Sequence, residues 1–418
     1  RSVSGNTTTF SDTAGGSVAV HLQPYSGTAV APVSSSGNTV VGNYLIEDTH
    51  PVITGSNFVG SPVYVGNLAV NAKAVTASAS GVTKVYDATT AMGNAVLGLS
   101  GQVAGDALGV SGSGVFNQKS AGTQVGYAFG NLALSGADQA NYYLSGGNSL
   151  TGSNGVITPA PLSLTSTNVT KTYDGTLSAV GTAVATGSAP LLGSDTVSGG
   201  IFAYTDKNVG SGNKVVTTRG VTINDGNHGG NYTVSYVDNT TSTITPAALS
   251  VTAAPVHKTY DGTVSATGSA TVGALAGAGD SVASAGTMSF ADKNAGTGKT
   301  VTVAAAQIKD SSGADVTGNY AITYVSSTGG VIDKANASIT ESAKAVTYNG
   351  ATQTQNAPVL SGFIAGDNVQ AAGVASARNV GTYGSNLTAT GSDVGNYNIT
   401  YVNAPLVINK LGATITAT

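Results

Sequence analysis

The sequence predicts an all-β protein built as a tandem array of about four β-sandwich-like modules, with β-grasp-like mixed modules as the alternative. Three observations carry this expectation. Three motifs recur four times in one order, the residues between them alternate with the two-residue period of strands, and no stretch sustains a 3.6-residue period over three turns. Composition agrees: the 418 residues include 58 Gly, no Cys, no Trp and only 9% charged side chains, while Val and Thr are abundant. Disordered chains share the low hydrophobic bulk but lack β-branched residues, so folded strands and many turns are expected.

The first motif surrounds a tyrosine and a turn: Tyr86-Asp87 in "KVYDATT", Tyr173-Asp174-Gly175 and Tyr260-Asp261-Gly262 in "KTYDGT", and Tyr348-Asn349-Gly350 in "VTYNGAT". The tyrosines are spaced by 87, 87 and 88 residues. The second motif is an "NY" pair ahead of an alternating strand, with Tyr142, Tyr232, Tyr320 and Tyr397. The third lies mid-module: "KSAG" from Lys119, "KNVG" from Lys207, "KNAG" from Lys293 and "RNVG" from Arg378. Fixed order at fixed period is the signature of one supersecondary unit repeated along the chain.

Between each "NY" strand and the next tyrosine motif stand "GVITPAPLSLTS", "STITPAALSVTA", "GVIDKANASIT" and "LVINKLGATIT". Each reads as a strand, a joint of two or three residues, and another strand, with Pro159, Pro161 and Pro246 where no ladder hydrogen bond is needed. The modules therefore run 72–159, 160–246, 247–334 and 335–410. Joints so short leave little independent motion, and four compact modules in line would make a stiff rod of roughly 120–180 Å. Residues 1–71 lack the tyrosine motif and read as the C-terminal part of a preceding β domain. Residues 411–418, "LGATITAT", read as the first strand of a further module or as a free donor strand able to join a sheet edge in another chain.

Few function classes survive this composition. With 16 Lys and Arg, a formal net charge of −4 and no basic cluster, the chain is not suited to nucleic acid. No apolar run has the length of a membrane span. No signal peptide stands at the start, which reads "RSVSGNTTTF" without Met, as in a fragment or processed form. The repeated Tyr-Asp-Gly is read as a tight hairpin turn, with Gly at positive φ and Tyr packed at a strand end, because the fourth module keeps turn chemistry in Asn349-Gly350 and drops the carboxylate. Ala88 in place of Gly would strain that turn, so the first module's turn is expected to differ.

"AGTGKT" at 295–300 resembles the tail of a phosphate-binding loop, but the full pattern requires Gly where Lys293 stands. "DGNHGGN" from Asp225 resembles a calcium loop, but its twelfth position is Tyr236. The histidines His21, His50, His228 and His257 share no motif, and without cysteine there is no thiolate site. Eleven of the 18 tyrosines occupy repeat-equivalent positions, Tyr236, Tyr324 and Tyr401 among them, and are read as core or hairpin residues. No catalytic, cofactor or metal residues are assigned, and no enzyme is expected.

The "KTYDGT" motif, the "GNYxITY" strand and the "ITPAxL" joint resemble the YDG/MBG repeats of large bacterial surface adhesins, which include haemagglutinin-like exoproteins of two-partner secretion and biofilm-matrix adhesins. The resemblance covers residues 72–410. It implies an extracellular, cell-surface location and a stalk or filament role in attachment or matrix cohesion, with no catalytic residues. The partners expected are copies of the chain or neighbouring modules, through the terminal strand, and a polysaccharide or host glycan in the alternative reading as a carbohydrate-binding array. Asp87-Ala88 and Asn349-Gly350 depart from the motif and count against a ligand role for it.

Overall fold

The computed structural model describes residues 1–61 and 63–416. The described chain is all-β, interrupted only by short 3₁₀ turns, and it forms two compact units. The first unit comprises residues 1–167, 182–201 and 218–237; the second comprises 168–181, 202–217 and 238–418.

In the first unit, residues ahead of the repeats form two antiparallel four-stranded sheets. One runs in the order Ser2–Ser4, Thr7–Ser11, Ser17–His21, Val52–Thr54, the other Ala29–Val30, Gln23–Ser26, Gly42–Asp48, Val63–Val70. After Asn71 and Ala72, the first repeat opens with Lys73–Ser80.

Each repeat carries two sheets built on the same plan, to which the third repeat adds one two-stranded sheet and the fourth adds two. The opening strands are Lys73–Ser80, Ala160–Ser166, Ala247–Thr252 and Ala335–Thr340. Each sits between an antiparallel neighbour and the parallel "NY" strand, which is Tyr142–Leu144, Tyr232–Tyr236, Tyr320–Val325 or Tyr397–Val402. Register repeats as well: Lys73, Ala160, Ala247 and Ala335 lie opposite Tyr142, Tyr232, Tyr320 and Tyr397.

The second sheet centres on the closing strand: Leu150–Thr158, Asn239–Thr245, Ser327–Asp333 or Pro405–Asn409. Its parallel neighbour is the short strand leading into the tyrosine motif: Thr83–Val85, Thr170–Thr172, His257–Thr259 or Lys344–Thr347. The two-sheet plan is that expected of a sandwich, while the parallel pair in each sheet is the mixed feature of the alternative.

The joints are tighter than the sequence suggests. Pro159, Pro246 and Lys334 are each the single residue between a closing strand and the next opening strand. Proline tolerates this place because its missing N–H falls between two ladders. The closing strand also fixes the tyrosine: the amides of Tyr86, Tyr173, Tyr260 and Tyr348 donate to the carbonyls of its last residue, Thr158, Thr245, Asp333 or Asn409, at 2.8–2.9 Å. Every motif tyrosine therefore sits beside the joint, at the downstream end of its repeat.

Burial follows the strand period. Ala160–Ser166 presents Ala160, Leu162, Leu164 and Ser166 inward. In the first unit Ala160, Leu162 and Leu164 pack with Phe116, Val125, Tyr127, Phe129 and Ile157 in one cluster. The second unit has a larger cluster, including Tyr204, Val216, Ile244, Val301 and Ile332, and a small one in the fourth repeat around Ala375, Leu406 and Ile408.

Residues 411–416 form no strand, and Leu411 and Ile415 are 65% and 94% exposed. Ala417 and Thr418, the end of the segment read as a further strand, lie outside the described residues.

Candidate functional site: the junctions between repeats

The repeated residues converge at the junctions. A four-residue turn in the next repeat, closed by a backbone bond, ends in an aspartate: Val103–Asp106, Leu192–Asp195, Gly277–Asp280 or Ile364–Asp367. The "NY" tyrosine of that repeat accepts the first amide of the turn at 2.8–3.0 Å and donates to the aspartate carboxylate.

Into this turn reaches the motif tyrosine of the repeat before. Tyr86 donates to Asp195 at 2.8 Å, Tyr173 to Asp280 at 2.9 Å and Tyr260 to Asp367 at 2.9 Å. Each motif tyrosine meets the "NY" tyrosine edge-on, with ring centroids 5.4–5.5 Å apart and interplanar angles of 76–80°. The pattern is a triad of two phenols on one carboxylate, with the motif tyrosines only 1–3% exposed. Each triad lies wholly inside one of the two compact units.

A second connection uses the third motif. The Asn of "NY" accepts the backbone amide of the preceding repeat: Asn231 from Ala121 at 2.8 Å, Asn319 from Val209 at 2.9 Å and Asn396 from Ala295 at 2.9 Å. Lys207 pairs with Asp310 at 3.1 Å, and Lys293 with Asp367 at 3.1 Å, adding a cation to the second and third junctions. The asparagines thus satisfy backbone amides that would otherwise be left unpaired, while the lysines add charge to carboxylates that already accept other hydrogen bonds.

At the upstream end of the first repeat no motif tyrosine precedes, and serines take its place. Asp106 accepts Ser34 Oγ at 2.6 Å and the Ser36 amide at 3.1 Å, and Asn141 accepts the Val41 amide at 3.0 Å. Hydrogen bonds from Ser34, Ser36 and Tyr142 hold the Asp106 carboxyl down at about 2. Burial first, then the Asp195, Asp280 or Asp367 carboxylate, raises the phenols, with Tyr173, Tyr232 and Tyr397 pushed up to about 12. For Asp367, burial works upward, but hydrogen bonds from Tyr397, Lys293 and Tyr260 outweigh it and hold the carboxyl low.

The motif aspartates face the other way. Asp87, Asp174 and Asp261 each accept the amide and hydroxyl of the second residue on, Thr89, Thr176 or Thr263, and pair with Lys84, Lys171 or Lys258 at 2.6–2.8 Å. Each lysine lies over an aromatic ring and also donates to the threonine carbonyl. Asn349 keeps the side-chain turn through the Ala351 amide at 2.9 Å. The motif is therefore a side-chain-closed turn, not the hairpin expected, because the strand before it already pairs in parallel with the closing strand.

Gly175, Gly262 and Gly350 hold φ of +72°, +76° and +75°, and Ala88 adopts +63°, so the first repeat keeps the same turn instead of a different one. At Gly175 a side chain would also meet the Ala278 amide nitrogen at 2.7 Å, so glycine serves close approach as well as conformation.

Other sequence candidates resolve into structure. Residues 296–300 lie within the strand Gly296–Ala304, with Lys299 paired to Asp292, so no phosphate loop forms. Asp225 is buried and its carboxylate accepts the amides of Asn227, Gly229 and Asn231. Tyr236, Tyr324 and Tyr401, read as core or hairpin residues, are 40–42% exposed and so lie outside the core. Their hydroxyls accept the amides of Val221, Ala306 and Ala389. Among the described residues no three His, Asp or Glu are grouped to hold a metal ion, and no helix is long and apolar enough to cross a membrane.

The junction aspartates Asp106, Asp195, Asp280 and Asp367 were missed by the motif search. Their sequence signal is an acidic residue recurring at spacings of 89, 85 and 87 with Gly or Ser before it, in step with the tyrosines.

No curated protein matches the chain. Among solved structures, a protocadherin GammaB4 extracellular domain aligns at 11% identity over 88% of this chain and 71% of its own, with a TM-score of 0.18, too low to bear on the fold. The YDG domain model matches residues 71–150, 158–242 and 245–328, more than half of the chain. The three matched stretches are the first three of the repeats whose tyrosine–aspartate junctions are described above: the chain belongs to the YDG domain family.

Proposed function

We propose that this repeat array is a stalk or filament segment of an extracellular bacterial adhesin, transmitting tension in surface attachment or biofilm-matrix cohesion and catalysing no reaction. One observation supports the reading above others. The buried tyrosines and asparagines that recur from repeat to repeat join one repeat to the next, through the tyrosine–aspartate–tyrosine triads and the asparagine caps. A chain without cysteine suits export in an unfolded state, consistent with the same reading.

Single-molecule pulling tests the mechanical part. The intact chain is expected to unfold in repeat-sized steps, and replacing Asp195, Asp280 and Asp367 by Ala should lower the peak force. Unchanged peak forces in that triple variant would remove the basis for the proposal. A glycan array supplies the opposing arm, since saturable sugar binding by the intact chain would favour the carbohydrate-binding alternative. Surface labelling of intact cells tests the location. Head-to-tail assembly by strand addition through residues 411–418 is a separable part of the proposal, supported by the exposure of Leu411 and Ile415. Sedimentation of the full and truncated chains decides it, and a monomer at high concentration would end it.

A further inference from the structure

The downstream end of the fourth repeat carries the same groups that three other repeats use to hold a neighbour. Tyr86, Tyr173 and Tyr260 are 1–3% exposed and donate to an aspartate of the next repeat, whereas Tyr348 is half-buried and its hydroxyl meets no acceptor among the described residues. The amides of Ala121, Val209 and Ala295 are capped by asparagines; the equivalent Val380 amide meets no acceptor among the described residues, and Val380 is 44% exposed.

A side chain at Gly175 or Gly262 would meet the next repeat's turn within 3 Å, at Ala278 or Ile364, but the space around Gly350 is open. Arg378 stands where Lys207 and Lys293 meet carboxylates, and its Nε donates to the Gly350 carbonyl at 2.8 Å.

We infer that this end, formed by Tyr348, Gly350, Arg378 and the Val380 amide, is a docking surface for the upstream end of another YDG-type repeat, one presenting an uncapped aspartate turn and Asn-Tyr pair. The interface is continuous in kind with three junctions in the same chain. Two unpaired donors and a cation on this side match an acidic acceptor set on the other. A second copy of this chain does not fit this junction, because its own upstream set is occupied: Asp106 by Ser34 and Ser36, and Asn141 by the Val41 amide; strand addition through residues 411–418 would be a separate contact. The inference rests on junction geometry and stands whether or not the array is an extracellular stalk.

The test extends the full chain. Residues 411–418 are replaced by a second copy of residues 247–334, with Lys410 as the one-residue joint that Lys334 is between the third and fourth repeats. Hydrogen exchange of the Val380 amide should slow by about tenfold or more in the extended chain. Asn319→Ala in the appended copy should return it to the rate in the unextended chain.

A well-folded appended copy that leaves Val380 exchange unchanged overturns the inference. So does a copy that fails to fold, because the same residues fold when seated on an earlier repeat. Self-association of the unextended chain that is abolished by Tyr348→Ala would assign the surface to a second copy and equally overturn it.

Discussion

At the scale of single residues, the four motif tyrosines are one residue type in two environments. Tyr173→Phe leaves Asp280 with one phenol fewer in a part-buried junction, and hydrogen bonds to charged groups are worth about 1.5–3 kcal/mol. Urea unfolding of this variant should show a loss of that size, while Tyr348→Phe, which breaks no hydrogen bond among the described residues, should change stability by less than about 0.5 kcal/mol. Equal losses would contradict the distinction between closed and open repeat ends. Ala88 pays a left-handed backbone cost of about 1–2 kcal/mol that Gly175 and Gly262 avoid. Ala88→Gly is therefore expected to raise the stability of the first unit by roughly 0.5–1 kcal/mol in a thermal melt, after the loss of one methyl contact. Asp174 is half-exposed, and Asn349 shows that an amide keeps the turn. Asp174→Asn should accordingly cost under about 1 kcal/mol, as an exposed ion pair does.

At the scale of strands, the single-residue joints set the geometry. A closing strand, one residue and an opening strand leave no freedom to re-aim the motif tyrosine, which is tied to the last carbonyl of the closing strand. Inserting Gly-Ser between Thr245 and Pro246 should thus break the Tyr173–Asp280 contact without disturbing either flanking sheet. Hydrogen exchange is the measurement: the Val209 and Gly277 amides, which Asn319 and Tyr320 hold, should behave differently. Val209 is capped from the next repeat and should lose protection, whereas Gly277 is held within its own repeat and should keep it. Retained protection at Val209 would mean that the joint does not control the junction.

At the scale of the whole chain, the phenols set an alkaline limit. Tyr173, Tyr232 and Tyr397 have folded values near 12 against 10.0 for the ordinary side chain. A value raised by folding means that the neutral form is favoured in the native state. Its contribution to stability is complete below pH 10 and is lost as pH rises from 10 towards 12. Absorbance titration should show the junction tyrosines ionising only together with loss of the β circular-dichroism signal. The carboxylates act at the other limit. Asp106 and Asp367 are lowered in the fold, so what they contribute is present above the ordinary value of 3.8 and is lost as pH falls through their folded values.

The sequence by itself determined the repeat period and the all-β class, and it marked Tyr-Asp-Gly as a turn, though not which kind. Each of these is written in local spacing, in strand alternation or in the exchange of Asp for Asn at position 349. The tertiary structure alone decided that Asp195, Asp280 and Asp367 receive the tyrosines, that Tyr236, Tyr324 and Tyr401 face solvent, and that strands pair in parallel on both sheets. Tyr86 and Asp195 stand 109 residues apart, so their contact depends on how two successive repeats are registered against each other. A short acidic turn carries no local periodicity to announce it, and only when the chain is folded does the desolvated carboxylate between two phenols mark where one repeat ends and the next begins.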